Sequence, residues 1–228
     1  MSPPLAVILD FNGTLSADEP LLDRLFREVL AAEGVELTSA TYFAELSGLS
    51  DPEIVVRAMA LGGVQPTPER CAAILRTKID RYKEEVGRRL TISEAAAGFV
   101  RVVASRVPIA IASGAVREEI GFVLERAGLE EHFGAIVSID DVEDGKPDPA
   151  GYALALARLN ERRSVDGSEP IAARSVLAIE DSAAGVNAAH ATGMRCAAMA
   201  GDERAEAVAD FTIERLDVAT AEWLLQPQ

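Results

Sequence analysis

Short apolar segments that end in polar or small residues alternate along most of this chain with longer amphipathic segments. The short segments are typical of buried strands, and the longer ones carry apolar residues at the three- and four-residue spacing of helices. The predicted strands are Leu5–Leu9, Val107–Ala112, Ala135–Ile139, Val176–Ile179, Met194–Met199 and Phe211–Ile213. Strands that alternate with helices favour a parallel sheet with right-handed crossovers and helices on both faces. We therefore predict an α/β fold with a doubly wound parallel sheet.

The interval from residue 15 to residue 89 breaks this alternation, because it contains helical patterns and no convincing strand. Its predicted helices are Leu21–Ala32, Ser39–Leu46, Glu53–Leu61 and Glu69–Val86. We predict that residues 15–89 form an inserted α-helical cap and that residues 1–14 and 90–228 form the α/β core. Within the core, residues 160–174 contain Asp166-Gly167 and Pro170 and are predicted to be a solvated loop.

The composition excludes several classes of function. The chain has 22 Lys and Arg residues against 37 Asp and Glu residues, a formal net charge of −15, which argues against a nucleic-acid partner. No segment approaches the ~20 apolar residues of a membrane span, and the N-terminal segment does not resemble a secretory signal. We predict a cytoplasmic protein without a membrane partner. Cys71 and Cys196 lack metal-site or disulfide spacing and are predicted to be buried thiols.

The polar residues that follow the predicted strands form a coherent set. In a doubly wound sheet, ligands bind beyond the carboxyl ends of the strands, so these residues are expected to meet at one edge. They are Asp10, Asn12, Gly13 and Thr14 after the first strand, Ser113 and Gly114 after the second, Lys146 in the loop after the third, and Glu180 and Asp181 after the fourth.

These residue types suggest phosphoryl transfer with a metal ion. Carboxylates held close together repel one another unless a cation or a proton is present, and oxygen ligands without His or Cys select a hard divalent ion such as Mg²⁺. The Ser113 hydroxyl precedes a predicted helix and could hold an anion with the amides that follow it, while Lys146 adds a positive charge. An exposed carboxylate could then act as a nucleophile, or the metal could activate water.

Four segments together resemble the motifs of the haloacid dehalogenase-like hydrolase superfamily, in the branch of small phosphatases and phosphoglucomutases with a helical cap. The resemblance covers nearly the whole chain, and the four segments occur in the family's order and at its spacings. They are Asp10-Phe11-Asn12-Gly13-Thr14-Leu15, Ile111-Ala112-Ser113-Gly114, Gly145-Lys146-Pro147-Asp148-Pro149 and Ile179-Glu180-Asp181-Ser182-Ala183-Ala184-Gly185.

The resemblance implies a role for each matching residue. Asp10 is expected to be the nucleophile that forms an aspartyl-phosphate, Lys146 to pair with it, and Ser113 and Gly114 to bind the phosphoryl group. The expected Mg²⁺ ligands are Asp10, the Asn12 carbonyl, Glu180 and Asp181. The implied function is a Mg²⁺-dependent phosphatase that acts on a small phosphorylated metabolite, as a monomer.

Asn12 departs from the family's pattern. Phosphatases of this family usually carry there a second Asp that serves as general acid and base, a contribution typically worth ~10²- to 10⁴-fold in rate. The Asn12 side chain cannot titrate. Two alternatives therefore remain: a phosphoglucomutase-like phosphotransferase, and a phospholigand-binding protein with impaired turnover. For the phosphotransferase alternative, the resemblance also implies a His early in the cap and an Arg after Gly48-Leu49-Ser50. This chain lacks that His and has Asp51 at the position of the Arg.

Ordinary structural roles compete with several of these assignments. Ser113 could cap a helix, a role that is compatible with phosphate binding, and Glu180 and Asp181 could both lie at the N-terminus of the next helix. Lys78 and Tyr82, one helical turn apart, are interpreted as a surface pair. The acids close to Lys146 are interpreted as a solvated charge run; they are Asp140, Asp141, Glu143 and Asp144.

Overall fold

The predicted strands form one parallel sheet in the computed structural model, which describes residues 2–227. Its strands are β1 (Ala6–Leu9), β2 (Ile109–Ala112), β3 (Ala135–Val137), β4 (Val176–Glu180), β5 (Arg195–Met199) and β6 (Phe211–Ile213). They lie in the order β3-β2-β1-β4-β5-β6. The chain moves outward from β1 to β3 and then returns to the other side of β1, so the strand order reverses between β1 and β4. The predicted fold class is confirmed.

The central strand is apolar because both faces of the sheet are covered. Ile8 lies opposite Ala110 of β2 and Ala178 of β4 in the parallel register. Val7 and Leu9 belong to one buried cluster, whereas Ile8 belongs to the cluster on the other face. Alternate residues of a strand face opposite sides of a sheet, so two covered faces leave no position for a polar side chain within β1.

Ten helices within residues 2–227 accompany the sheet. They are α1 (Glu19–Ala31), α2 (Ser39–Thr41), α3 (Asp51–Leu61), α4 (Pro68–Arg88), α5 (Glu94–Ala104), α6 (Arg117–Ala127), α7 (Ala150–Val165), α8 (Ala183–Ala191), α9 (Glu203–Glu206) and α10 (Val218–Leu224). Helices α7, α8 and α9 cover the Ile8 face, while α5, α6 and α10 contribute to the cluster on the Val7 face. None of these helices is long and apolar enough to cross a membrane.

Residues 15–89 contain helices and no strand. The apolar residues of α1, α3 and α4 join the cluster on the Val7 face. The two connections to the sheet lie side by side. The Ala17 amide donates to the Thr91 carbonyl at 3.0 Å, and the hydroxyl oxygens of Ser16 and Thr91 form a hydrogen bond at 2.7 Å. The division into a cap of residues 15–89 and a core stays a prediction.

Several predicted boundaries are wrong. Helix α7 continues to Val165, so only the second half of residues 160–174 is a loop. The predicted helix from Ser39 to Leu46 is a short α-helical turn followed by a π-helical turn over Tyr42–Leu46. Cys196 is buried as predicted, but Cys71 is only half-buried.

The interpretation of Lys78 and Tyr82 as a surface pair is wrong, because neither side chain is exposed. The Lys78 ammonium group donates to Asp51 of α3 at 2.9 Å and to Glu119 of α6 at 2.7 Å. It also lies 5.0 Å from the centre of the Phe26 ring. Burial raises the pKa of Glu119 to about 8 against the attraction of Lys78, and the charge of Asp51 adds to the rise. Glu119 therefore retains its proton near neutral pH while Lys78 stays charged.

Replacing Lys78 by Met is expected to lower the free energy of unfolding by about 3–5 kcal/mol, because it leaves Asp51 and Glu119 buried without a cation. Urea unfolding monitored by circular dichroism measures the change. A loss below about 1 kcal/mol would show that the buried ion pairs do not hold α4 against α6.

Arg76→Met is the matched control. Arg76 lies on the same helix and pairs with Glu118 of α6, but both side chains are more than two-fifths exposed. Exposed ion pairs contribute about 0–1 kcal/mol, so this variant is expected to unfold close to the wild-type midpoint.

Candidate active site

The candidate site begins at the carboxyl end of β1, where the chain turns sharply after Asp10. The Gly13 amide donates to the Ser16 carbonyl at 2.8 Å. Gly13 has φ +74°, a conformation that side chains with a Cβ rarely adopt, and a Cβ at this position would collide with the Asp181 carboxylate. The glycine therefore allows the loop after β1 to approach the loop after β4.

Lys146 lies at the carboxyl ends of the two central strands, β1 and β4. Its ammonium group contacts the carboxylates of both Asp10 and Glu180, and its side chain is 11% exposed. Burial opposes its charge, but the two carboxylates outweigh burial and raise the pKa of Lys146. The Tyr152 hydroxyl of α7 donates to Glu180 at 2.7 Å, so this carboxylate is held from two sides.

A third carboxylate completes a cluster that could hold a metal ion. Oxygen atoms of Asp10, Glu180 and Asp181 lie within 4.8 Å of one another. Burial raises the pKa of Asp10 to about 7; Lys146 opposes the shift and Glu180 adds to it. Burial and the charges of Asp10 and Glu180 also raise the pKa of Asp181 well above its usual range. Three carboxylates with one Lys repel one another, and a divalent cation would relieve that repulsion.

The predicted anion-binding loop follows β2. The Ser113 hydroxyl accepts a hydrogen bond from the Ala115 amide at 3.1 Å, and helix α6 begins only at Arg117. Ser113 is therefore not the N-cap of α6. Similarly, Ser182 caps α8 by accepting from the Gly185 amide at 3.1 Å, so the alternative that Glu180 or Asp181 caps this helix is wrong.

The segment that leads into α3 covers this edge of the sheet. The Asp51 amide donates to the Gly114 carbonyl at 3.2 Å, and a Cβ at Gly114 would lie 3.1 Å from the Ser50 Cα. The cavity below this segment is lined by the predicted residues Asp10, Asn12, Ser113, Gly114, Lys146 and Asp181. The structure thus brings the predicted site residues together, with Glu180 attached through Lys146.

Three further titratable residues of the cavity were missed as site residues by the sequence analysis: Glu19, Tyr42 and Asp51. Glu19 and Asp51 lie in the first turns of α1 and α3. Acidic residues are favoured at that place by the helix dipole in any protein. No sequence signal therefore distinguished these two acids from ordinary helix-terminal residues.

The Asn12 side chain is held by a partner of its own. Its amide nitrogen donates to Asp18 at 2.9 Å. The same carboxylate oxygen accepts from the Ser16 hydroxyl at 2.7 Å and from the Tyr82 hydroxyl at 2.5 Å. Asp18 is buried, and burial raises its pKa, an effect that these three donors oppose. An amide at position 12 supplies a hydrogen-bond donor where a carboxylate would face a second carboxylate.

The interpretation of the acids before Lys146 as a solvated run is wrong for Asp141. Its side chain is 14% exposed, contacts the guanidinium group of Arg117 and accepts from Arg158 at 2.8 Å. Asp140 accepts from the Arg117 amide at 2.8 Å but is exposed, as predicted. Glu143 and Asp144 are also exposed, as predicted.

Comparison with known proteins identifies the family. The family model of haloacid dehalogenase-like hydrolases matches residues 4–193. The chain belongs to this family. It is an enzyme, a phosphatase of the haloacid dehalogenase-like type, as the sequence predicted. A relative from Thermotoga maritima, a phosphorylated carbohydrates phosphatase, is 29% identical over 189 residues, which cover 83% of this chain and 82% of the relative.

Solved structures agree with this membership. CbbY from Rhodobacter sphaeroides in complex with phosphate has a TM-score of 0.78 and 26% sequence identity, with 93% of this chain and 95% of CbbY covered. A variant of the same protein was solved in complex with xylulose-(1,5)bisphosphate. The β-phosphoglucomutase from Clostridium difficile has a TM-score of 0.81 at 17% identity, over 97% of each chain, and shares the fold.

Asn12→Asp is expected to destabilise the folded protein by about 1–3 kcal/mol at pH 8, because it removes a donor from a buried carboxylate and adds a second carboxylate. The new pair shares a proton, so one folded-state pKa rises above its unfolded value. Stability is fully present below the unfolded pKa and is lost as the pH rises through the raised folded pKa, so the deficit is smaller at pH 5 than at pH 8. Thermal unfolding at both pH values measures this difference.

The double variant Asn12→Asp with Asp18→Asn is the matched control. It restores one donor and one carboxylate with their positions exchanged, and it should recover most of the lost melting temperature at pH 8. Equal melting temperatures of the wild type and the single variant at pH 8 would contradict the proposed hydrogen bond.

Proposed function

We propose that this enzyme is a magnesium-dependent phosphatase that hydrolyses phosphomonoesters of small phosphorylated metabolites through an aspartyl-phosphate at Asp10. The observation that carries the proposal is the contact between the Asp10 carboxylate and Lys146 inside a covered cavity that Ser113 and Gly114 also line. The phosphatase from Thermotoga maritima, named for phosphorylated carbohydrates, supports a sugar phosphate as the class of substrate.

The donor set fits Mg²⁺. The carboxylates of Asp10, Glu180 and Asp181 are the proposed ligands, together with the Asn12 backbone carbonyl. These are hard oxygen atoms, and Lys146 balances only one of the three negative charges. When it is bound, the ion supplies positive charge that reduces the repulsion between Asp10 and an incoming phosphoryl group.

The remaining chemistry is assigned to the chain itself. An Asp10 oxygen attacks phosphorus, and the bond between phosphorus and the departing alcohol oxygen breaks as the new bond forms. Lys146, the Ser113 hydroxyl and the amide of Gly114 hold the phosphoryl oxygens in position. Water then attacks phosphorus, releases inorganic phosphate and restores the Asp10 carboxylate.

Closure of the helical segment over the edge of the sheet excludes bulk water from this step. The loop that contains Ser50 and Asp51 already lies against Gly114. We infer that the phosphoryl group of the substrate lies between this loop and the sheet, beside Asp10 and Ser113.

The alternatives raised by Asn12 lack a supporting observation. Asp51 stands where the phosphoglucomutase-like alternative expects an Arg, and its carboxylate is paired with Lys78. The alternative of a phospholigand-binding protein with impaired turnover rests on the acid and base missing at Asn12, whereas the nucleophile Asp10 is present in the cavity. A cytoplasmic location and a monomeric state stay predictions from the sequence.

Removing the metal is expected to abolish phosphate release. EDTA should stop the reaction with a sugar phosphate, and added Mg²⁺ should restore it. Mg²⁺ should also raise the melting temperature of the wild type, since a ligand at a hundredfold excess over its dissociation constant contributes about 2.7 kcal/mol. Asp181→Asn should reduce that thermal shift. Full activity after rigorous chelation would contradict the metal assignment.

Asp10→Asn is expected to lower kcat by at least ~10⁴-fold on every phosphomonoester, because the amide cannot attack phosphorus. Phosphate release and acid-stable radiolabelling with a ³²P-phosphorylated substrate measure the loss of turnover and of the covalent intermediate. Asp144→Asn, an exposed position in the loop that also carries Lys146, is the control and should retain both. Radiolabelling of the Asp10→Asn protein would overturn the assignment of the nucleophile.

A further inference from the structure

Cleavage of a sugar phosphate requires a proton for the departing alcohol, and Asn12 cannot supply one by titration. The side-chain amide nitrogen of Asn12 also donates a hydrogen bond to Asp18 at 2.9 Å. A group elsewhere in the cavity must therefore act as acid if the enzyme is to hydrolyse alkyl phosphates at a useful rate.

The cavity offers few candidates. Among the described residues, the titratable side chains that line it are Asp10, Glu19, Tyr42, Asp51, Lys146 and Asp181. Asp10 is the proposed nucleophile, Lys146 is paired with it, and Asp181 belongs to the carboxylate cluster.

Two of the remaining three are unsuited to proton transfer. The Asp51 carboxylate already accepts from the buried ammonium group of Lys78 at 2.9 Å and is held by that contact. Burial raises the pKa of Tyr42, so its hydroxyl keeps its proton and can only donate a hydrogen bond. Glu19 remains.

The position of Glu19 suits the task. Within residues 2–227, no nitrogen of Lys, Arg or His lies within 4.0 Å of its carboxylate oxygens in an ion pair. Its hydrogen bonds are long: the Tyr42 hydroxyl at 3.5 Å and the Ser47 hydroxyl at 3.4 Å, both to the same oxygen. The second carboxylate oxygen is free of these contacts.

Glu19 also lies between two spaces. It lines the cavity that contains Asp10, and it lines a wider neighbouring pocket with Phe43 and Arg204. A substrate with its phosphoryl group at Asp10 and its alcohol part in the wider pocket would place the departing oxygen close to this carboxyl group.

We propose that Glu19 is the general acid and base of the reaction, in the role that Asn12 cannot fill. This inference rests on the proposed phosphatase function. In the first step the Glu19 carboxyl proton moves to the departing alcohol oxygen while the bond from that oxygen to phosphorus breaks and Asp10 bonds to phosphorus. In the second step the Glu19 carboxylate takes a proton from the attacking water, the bond from phosphorus to Asp10 breaks, and phosphate leaves.

The electrostatic surroundings of Glu19 support both steps. Burial raises the pKa of Glu19 to about 7, and the charge of Asp18 adds to the rise. The Ser47 and Tyr42 hydroxyls oppose the shift, and Asp51 reinforces it. The charged or titratable groups that face Glu19 are Asp18 from the preceding turn, Tyr42 from the π-helical turn, Asp51 from α3, Asp181 after β4 and Arg204 across the wider pocket. Both protonation states are therefore populated near neutral pH, as acid and base catalysis requires.

The test compares Glu19→Gln with the wild type on an alkyl phosphate and on p-nitrophenyl phosphate, which has a good leaving group. We expect kcat on the alkyl phosphate to fall by ~10²- to 10⁴-fold. On p-nitrophenyl phosphate the first step needs no acid, so Glu19→Gln should release a burst of p-nitrophenol and then turn over slowly, because the base for the second step is missing.

The pH profile gives a second readout. Alkyl phosphate hydrolysis by the wild type should show kcat/KM falling above about pH 7, where Glu19 loses its proton. Glu19→Gln should lack this limb, and Glu19→Asp should retain it with lower activity. Glu45→Gln is the matched control: Glu45 lies in the π-helical turn with its side chain 44% exposed, and the variant should keep the wild-type profile.

Three results would overturn the proposal. The first is an alkyl phosphate activity of Glu19→Gln within about threefold of the wild type, and the second is an equal loss of activity on both substrates without a burst. The third is a gain in activity of ~10-fold or more on alkyl phosphates from Asn12→Asp alone, because that gain would show that the wild type lacks an acid. Failure of the phosphatase function itself has a different signature, since the wild type would then release phosphate from neither substrate.

Discussion

The site depends on one unfavourable contact, the crowding of carboxylates at the carboxyl ends of β1 and β4. Oxygen atoms of Asp10, Glu180 and Asp181 lie within 4.8 Å of one another, and Lys146 is the one cation within residues 2–227 that forms an ion pair with this cluster. Neighbouring features accommodate this cluster. Gly13 leaves room for the Asp181 carboxylate, and the Tyr152 hydroxyl donates to Glu180. The parallel sheet supplies the geometry, because it ends β1 and β4 side by side at the place where the strand order reverses.

Buried charges also join the helical segment to the sheet. Lys78 of α4 reaches Asp51 and Glu119, so a single ammonium group connects α4 to α3 and to the helix that follows the anion-binding loop. Where the chain passes between the sheet and the helical segment, the Asp18 carboxylate accepts hydrogen bonds from the side chains of Asn12 and Tyr82. A buried charge without a partner is costly, so these contacts favour the arrangement in which the helical segment lies against the edge of the sheet.

Membership in the haloacid dehalogenase-like family and the departure at Asn12 become compatible once the neighbours of this residue are considered. The amide at position 12 matches a carboxylate at position 18, and a second carboxylate there would require a proton to be shared. Proton transfer would then shift to Glu19, which faces the same cavity without a cationic partner in the described chain. The local sequence change is thus tied to its surroundings and need not imply the loss of turnover.

The sequence by itself determined the alternation of strands and helices, and with it the parallel sheet and the edge where Asp10, Ser113, Lys146 and Glu180 meet. It could do so because strand periodicity and the carboxyl-end rule depend on short segments and on chain order alone. Only the tertiary structure decided the burial of Lys78, the bond between Asn12 and Asp18, and the placement of Glu19 in the cavity. A helical surface pattern cannot reveal a second helix or a sheet edge that covers it, and the effects of burial on pKa arise from neighbours far apart in the chain.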